Sequence, residues 1–215
     1  MHEPGGAGAL ERASIYLIRH GETPGNARRV IQMPDTPLSE RGIDQAERLA
    51  RRLATERIAG ILSSDFARAQ MTTECLRAAT GVEVVHDAVL RERSFGALRG
   101  TAYADLTVDP FAADYAPPGG ETWEAFHARI DLAWRRIRDV ADGTAGNLAV
   151  VTHGLVCASL ALRHLELPDA GAPPTGFRNA SLTIVDAQPP HRVLLLDCTE
   201  HLEEKTGPVD GRAPV

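Results

Sequence analysis

Ser14-Ile15-Tyr16-Leu17-Ile18-Arg19-His20-Gly21-Glu22-Thr23 is the stretch on which the fold turns. Residues 14–18 form a short β-branched and aliphatic run that predicts a strand, and the polar Arg-His-Gly follows at its C-terminal end. α/β proteins place their chemistry at that end of a strand. A second segment repeats the pattern: Val150-Val151-Thr152-His153-Gly154 again sets a histidine after a strand and before a glycine. The missing Cβ of glycine lets another group approach closely.

Between these segments strands and helices alternate. After a loop holding Pro24, Pro34 and Pro37, the apolar residues Ile43, Ala46, Leu49, Ala50 and Leu53 recur at helical spacing, with Ser39 as N-cap. Residues 58–63 predict a second strand, and Asp65 is the expected cap of a helix with Phe66, Ala69, Leu76 and Ala79 on its apolar side. Residues 100–120, with Pro110, Pro117, Pro118, Gly119 and Gly120, predict an irregular, lid-like insertion. Trp123, Phe126, Ile130, Trp134 and Ile137 mark a long amphipathic helix whose two tryptophans belong to the core. A strand at 148–152, a helix to about residue 165, and strands at 181–185 and 192–196 complete the pattern, the last two joined through Gln188-Pro189-Pro190 as an antiparallel pair at a sheet edge. The expected fold is α/β: a three-layer α/β/α sandwich with a mostly parallel central sheet and one antiparallel edge strand. Residues 1–13 read as a flexible N-terminal segment, 14–198 as one domain, and 199–215 as a disordered tail.

Composition narrows the function classes. At 215 residues, 43% of them hydrophobic, the chain is long enough for one large core. The 23 basic and 29 acidic residues give a net charge of −6, the wrong sign for general attraction to nucleic acid or anionic lipid. Cys75, Cys157 and Cys198 are odd in number and widely spaced, which fits a reducing compartment better than a disulfide or thiolate-metal framework. With no apolar run near 18 residues, a cytoplasmic protein without a membrane partner is expected. Gly5-Gly6-Ala7-Gly8 precedes the first strand, so it is no dinucleotide fingerprint.

Two imidazoles at one sheet edge suit phosphoryl chemistry: a neutral ring nitrogen attacks phosphorus, and a cationic ring stabilises developing negative charge. A single histidine would more simply be a loop residue satisfied by local hydrogen bonds. Arg19 weakens that reading, because a guanidinium beside a buried imidazole is costly without an anion to hold. Arg68, early in its helix, can reach back over the sheet edge and form a clamp with Arg19 on a tetrahedral phosphoryl group. Taken alone it would be a surface ion-pair residue. Glu92, between Arg91 and Arg93, is either a local ion pair or a general acid for a departing alkoxide.

The ordered set of Arg19-His20-Gly21-Glu22-Thr23 with Asn26, Pro37-Leu38-Ser39 with Gly42, Gln45 and Ala46, Ser63-Ser64-Asp65 with Arg68-Ala69, Glu92 with Phe95-Gly96, and Thr152-His153-Gly154 resembles the histidine phosphatase superfamily, also called phosphoglycerate mutase-like. The resemblance spans residues 15 to about 185. It implies a phosphohistidine intermediate formed without metal or other cofactor, with His20 as nucleophile, Arg19, Arg68 and a protonated His153 as the phosphate pocket, and Glu92 as proton donor. Thr23, Asn26 and Gly154 match positions that line the phosphate site in relatives. His2, His86, His127, His164, His191 and His201 match no catalytic motif and read as structural or surface residues.

The family holds both phosphatases and cofactor-dependent mutases. Ala97-Leu98 resembles mutase wording, but the segment between Glu92 and the second histidine lacks the longer mutase insertion with its Arg-Ser-Tyr sequence. A short lid admits water, so hydrolysis of a small phosphorylated metabolite stands first; mutase transfer and a non-catalytic phospho-ligand-binding domain are the alternatives. Arg28 and Arg29 are candidates for a second anionic group, or solvated surface charges. The edge strands leave monomer and homodimer both open.

Overall fold

The computed structural model describes residues 13–168 and 176–203. Six strands form one sheet: β1 (Ser14–Arg19), β2 (Ile58–Ser63), β3 (Val84–His86), β4 (Asn147–Thr152), β5 (Leu182–Asp186) and β6 (Val193–Cys198). Their order is β3-β2-β4-β1-β5-β6, with β3, β2, β4 and β1 mutually parallel. β5 runs antiparallel to β1, and β6 antiparallel to β5, which gives the expected reversed pair at one edge. β3 escapes a reading of the sequence: three half-exposed residues at the opposite edge are too few for a period to show.

Helices cover both faces: α1 (Pro24–Ala27), α2 (Glu40–Leu53), α3 (Ala67–Thr80), α4 (Trp123–Asp142) and α5 (Gly154–His164). Strand alternation assigns the side chains. Ile15, Leu17, Leu148 and Val150 pack with Phe126, Ile130, Ile137, Val156 and Leu160 of α4 and α5. Tyr16, Ile18, Ala149 and Val151 pack with Leu49, Leu53, Ala69 and Leu76 of α2 and α3. Burial on both faces is why β1 and β4 read as unbroken apolar runs rather than alternating ones. The three-layer sandwich is thus formed as the sequence predicts.

Local signals hold in part. Ser39 caps α2 by accepting from the Gly42 amide at 3.1 Å. Asp65 does not cap α3, whose N-cap is Phe66; its carboxylate is held instead by the Arg91 guanidinium at 2.5 and 2.7 Å. Trp134 is core, whereas Trp123 is only half buried and turns toward a cleft. Of the expected disordered tail, Glu200–Leu202 form a 3-10 turn, with His201 Nε2 3.0 Å from the Ala180 carbonyl; residues after 203 lie outside those described. Residues 1–12 of the N-terminal segment also lie outside them, while the Ala13 carbonyl accepts from the Ala187 amide. Among the described residues no helix is long and apolar enough to cross a membrane.

Residues 100–120 are irregular apart from one 3-10 turn and are tied down at both ends. The Gly100 amide donates to the Ile31 carbonyl, the Ile31 amide to the Thr101 carbonyl, and the Tyr103 amide to the Arg29 carbonyl. At the other end a Cβ on Gly96 would sit 2.1 Å from the Pro118 carbonyl oxygen, so this junction requires glycine. The segment and the loop after β1 therefore meet over the C-terminal edge of the sheet.

Candidate active site

The β1–β4 register builds the site. Arg19 lies opposite Thr152, so the two strands end together, and the His20 amide donates to the Thr152 carbonyl at 3.0 Å. His20 and His153 therefore emerge side by side, ring centroids 5.2 Å apart and nearly edge to face. Gly21 lets the loop after β1 rest directly on the start of α2, since a Cβ there would fall 2.4 Å from the Gly42 carbonyl oxygen.

His20 is buried and its Nδ1 sits 2.7 Å from the Gly21 carbonyl. A carbonyl only accepts, so the proton is on Nδ1 and Nε2 carries the lone pair. Arg68, near the start of α3, places its Nε 3.2 Å from that Nε2 and donates through its other arm to the Met33 carbonyl. Burial and the fields of Arg68 and Arg19 hold the His20 imidazole well below its ordinary range, hence neutral. Burial also lowers Arg68 itself, to about 10. Arg19 donates to the Phe177 carbonyl, and burial lowers its guanidinium too.

His153 is fully buried at the N-cap of α5, with Nε2 2.8 Å from Ser64 Oγ. Burial, then Arg68, holds it neutral. Burial thus works against the protonated His153 that the resemblance implies. Two buried nitrogens here, Arg19 Nε and His153 Nδ1, have no hydrogen-bond partner among the described residues. Buried polar atoms left this way cost free energy unless a complementary group meets them.

Glu92 enters from the opposite side. Its two oxygens accept from the Arg93 amide at 3.0 Å and the Leu155 amide at 3.1 Å, in the first turn of α5. Removal from water raises its carboxyl above the ordinary range, against the pull of those amides and of Arg68 and Arg19. A carboxyl so raised can hold a proton and deliver it.

Of the remaining expected residues, Asn26 and Gly154 line the cleft. Thr23 does not: it is fully buried, caps α1, and donates to Gln32 Oε1 at 2.8 Å while accepting from the Asn26 amide. Asn26 Oδ1 accepts from the Thr23 amide and from Asn179 Nδ2, which turns the Asn26 Nδ2 away from that network. Asn179 also donates to the His20 and Gly21 carbonyls. Nothing in the sequence marks this residue beyond an asparagine before β5. Arg28 and Arg29 do not line the cleft; Arg28 donates to the Pro24 carbonyl, and Arg29 lies over the Tyr103 ring.

The cleft, about 600 Å³, extends from His20 and Arg68 outward between the 100–120 segment and α5. His127, expected to be structural or superficial, lines it beside Trp123 at 5.5 Å. Arg93 is fully buried below the wall, donating to the carbonyls of Pro110, Tyr115 and Glu121 and lying 4.1 Å from the Trp123 ring centre. Only the folded chain reveals this arginine as a pin for the 100–120 segment. His164, by contrast, pairs with Asp131, and His191 packs edge-on against Trp134.

Comparison with known proteins identifies the family. Residues 15–197 match the histidine phosphatase superfamily (branch 1). A protein of Shigella boydii named "Probable phosphoglycerate mutase GpmB" is 34% identical over 184 residues, 81% of this chain and 85% of that one. The structure of a mycobacterial glucosyl-3-phosphoglycerate phosphatase complexed with VO3 is 32% identical with a TM-score of 0.70, covering 80% of this chain and 90% of the other. Bacillus stearothermophilus YhfR is 29% identical with a TM-score of 0.76, over 89% of this chain and all of that one. One strand-end histidine, two guanidinium groups and a raised carboxyl lining one cleft, with the second histidine buried beside the first, thus accompany a family match along nearly the whole domain, and the chain belongs to the histidine phosphatase superfamily.

Proposed function

We propose that the chain hydrolyses small phosphomonoesters through a phosphoryl group carried on His20. The observation that carries the reading is the setting of His20, with Nδ1 engaged by the Gly21 carbonyl and Nε2 directed to the Arg68 guanidinium. In the first step the Nε2 lone pair forms a bond to phosphorus, the ester P–O bond breaks, and the Glu92 proton goes to the departing oxygen. Arg19, Arg68, the Asn26 amide and His153, cationic once the dianion is bound, hold the three equatorial oxygens. In the second step the Glu92 carboxylate takes a proton from water, the water oxygen bonds to phosphorus, and the P–N bond breaks. The free imidazole and the protonated Glu92 are restored, with inorganic phosphate released. Side chains supply all the charge this requires, so the reading invokes no metal.

Mutase transfer is favoured by the name of the curated relatives. It needs a cation for the carboxylate of a sugar acid; Arg93 is committed to three backbone carbonyls, so Arg99, which donates to the neutral Ser94 Oγ, would have to serve, and the name of the solved glucosyl-3-phosphoglycerate phosphatase favours hydrolysis.

Phosphate release from a panel of phosphomonoesters, 3-phosphoglycerate included, is measured in excess EDTA for wild type and His20→Ala. Release that survives EDTA and vanishes in His20→Ala is the expected result. Substantial release by His20→Ala removes the assigned nucleophile. No release from any ester, with isomerisation of 3-phosphoglycerate primed by 2,3-bisphosphoglycerate, replaces hydrolysis by transfer.

A further inference from the structure

The cleft changes character along its length. At the inner end lie Arg19, His20, Arg68 and Glu92; outward, the walls are Phe95, Tyr103, Phe111 and Trp123 on one side and Leu162 and Phe177 on the other. The aromatic side is ordered: Phe111 meets Phe95 at 5.8 Å edge to face and Tyr103 at 5.9 Å, tilted. Phe111 is 42% exposed and Leu162 65% exposed, although both face a concave surface. Large apolar side chains held open to water in a cleft gain free energy when a ligand covers them.

Most charges near the cleft are committed away from this outer half, Arg29, 5.8 Å over the Tyr103 ring, being the exception. Arg19 and Arg68 belong to the inner end. Arg93 is committed to three backbone carbonyls and the Trp123 face. Arg99 donates to Ser94 Oγ, and its field acts on Arg68, at the phosphate end. His127 is biased toward neutrality by burial and by Arg163. The two halves nevertheless adjoin, since the Tyr103 phenol is raised by burial and by the charge of Glu92.

Resting on the phosphatase reading for the events at phosphorus, we propose that the outer cleft is a subsite for a planar, apolar ring carried by the alcohol portion of the phosphomonoester. The ring stacks against the Phe95–Tyr103–Phe111 wall while its phosphate reaches His20. Glycerol phosphates and sugar-acid phosphates, with hydroxyls or a carboxylate in that place, leave the apolar walls uncovered and exchange their hydration for little more than the Tyr103 phenol, His127 and Ser159.

Binding is measured first, on His20→Ala so that nothing is consumed, with 2-phenylethyl phosphate, glycerol 3-phosphate and 3-phosphoglycerate, all esters of unactivated alcohols. The expected result is a Kd about tenfold lower for the phenylethyl ester than for either other compound, a ratio that falls to about threefold or less when Phe111→Ser or Leu162→Ser is added. Both positions are solvent-exposed, so the substitutions leave the core intact. Equal Kd values, a tighter 3-phosphoglycerate, or a ratio unchanged by both substitutions overturns the ring subsite. Turnover of the same three esters by wild type is read separately. Ring preference in binding without phosphate release keeps the subsite and removes hydrolysis, whereas release from all three esters without binding preference keeps hydrolysis and removes the subsite.

Discussion

His153 Nε2 lies 2.8 Å from Ser64 Oγ, while its Nδ1, buried next to the His20 ring, has no partner among the described residues. One end of the imidazole is thus fixed by a residue at the end of β2, and the other lies buried beside the His20 ring, outside the residues that line the cleft. The same enclosure that orients the ring keeps it neutral.

That neutrality makes stability depend on pH. His20 and His153 both have folded values well below the 6.5 of an exposed histidine, so unfolding takes up protons once the pH drops below about 6.5. The stabilisation is complete above that pH and is lost progressively as the pH falls from there toward the folded values. Thermal midpoints of wild type and His153→Asn are compared from pH 7.5 to 5. The wild-type midpoint is expected to fall more steeply, and parallel curves would show that His153 is not held neutral.

Glu92 works in the opposite sense. Its carboxyl is raised, so the protonated, proton-donating form persists to a higher pH than for an exposed glutamate and is lost as the pH rises through that folded value. Glu92→Gln is expected to slow alkyl esters by about 10²–10⁴-fold, to slow p-nitrophenyl phosphate far less, and to remove the basic limb of the pH profile for alkyl esters. Equal losses on both ester types would remove Glu92 from the acid role.

Arg93 holds the 100–120 segment from beneath. Arg93→Met keeps the aliphatic stem but strips the Pro110, Tyr115 and Glu121 carbonyls of their donor. A destabilisation of about 1–3 kcal/mol is expected, which lowers the melting midpoint of a chain this size by about 2–4 °C per kcal/mol. Amide exchange in residues 100–120 is expected to quicken more than in β1 or β4. Uniform exchange across the chain would show that Arg93 does not anchor this segment in particular.

β1, β4 and the helices around them are legible in the amino-acid order because their signals are local. Unbroken apolar runs, Ser39 at an N-cap and the paired His-Gly strand ends fix element type, the sheet's parallel core and the edge where polar groups collect. The order of motifs also carries the family. Other features depend on residues that meet only after folding. Asp65 is drawn from its helix cap by Arg91, a residue 26 positions away. Thr23 is buried behind Asn26, and Asn179 is brought to His20 across 159 positions. Arg93 looks like any charged surface residue until three carbonyls from a distant loop surround it, and Trp123 looks like core until the lid leaves one face open. Protonation states belong to the same group: the neutrality of His153 and the raised Glu92 carboxyl arise from burial and from nearby guanidinium groups, and those distances exist only once β1, β4 and α3 have packed together.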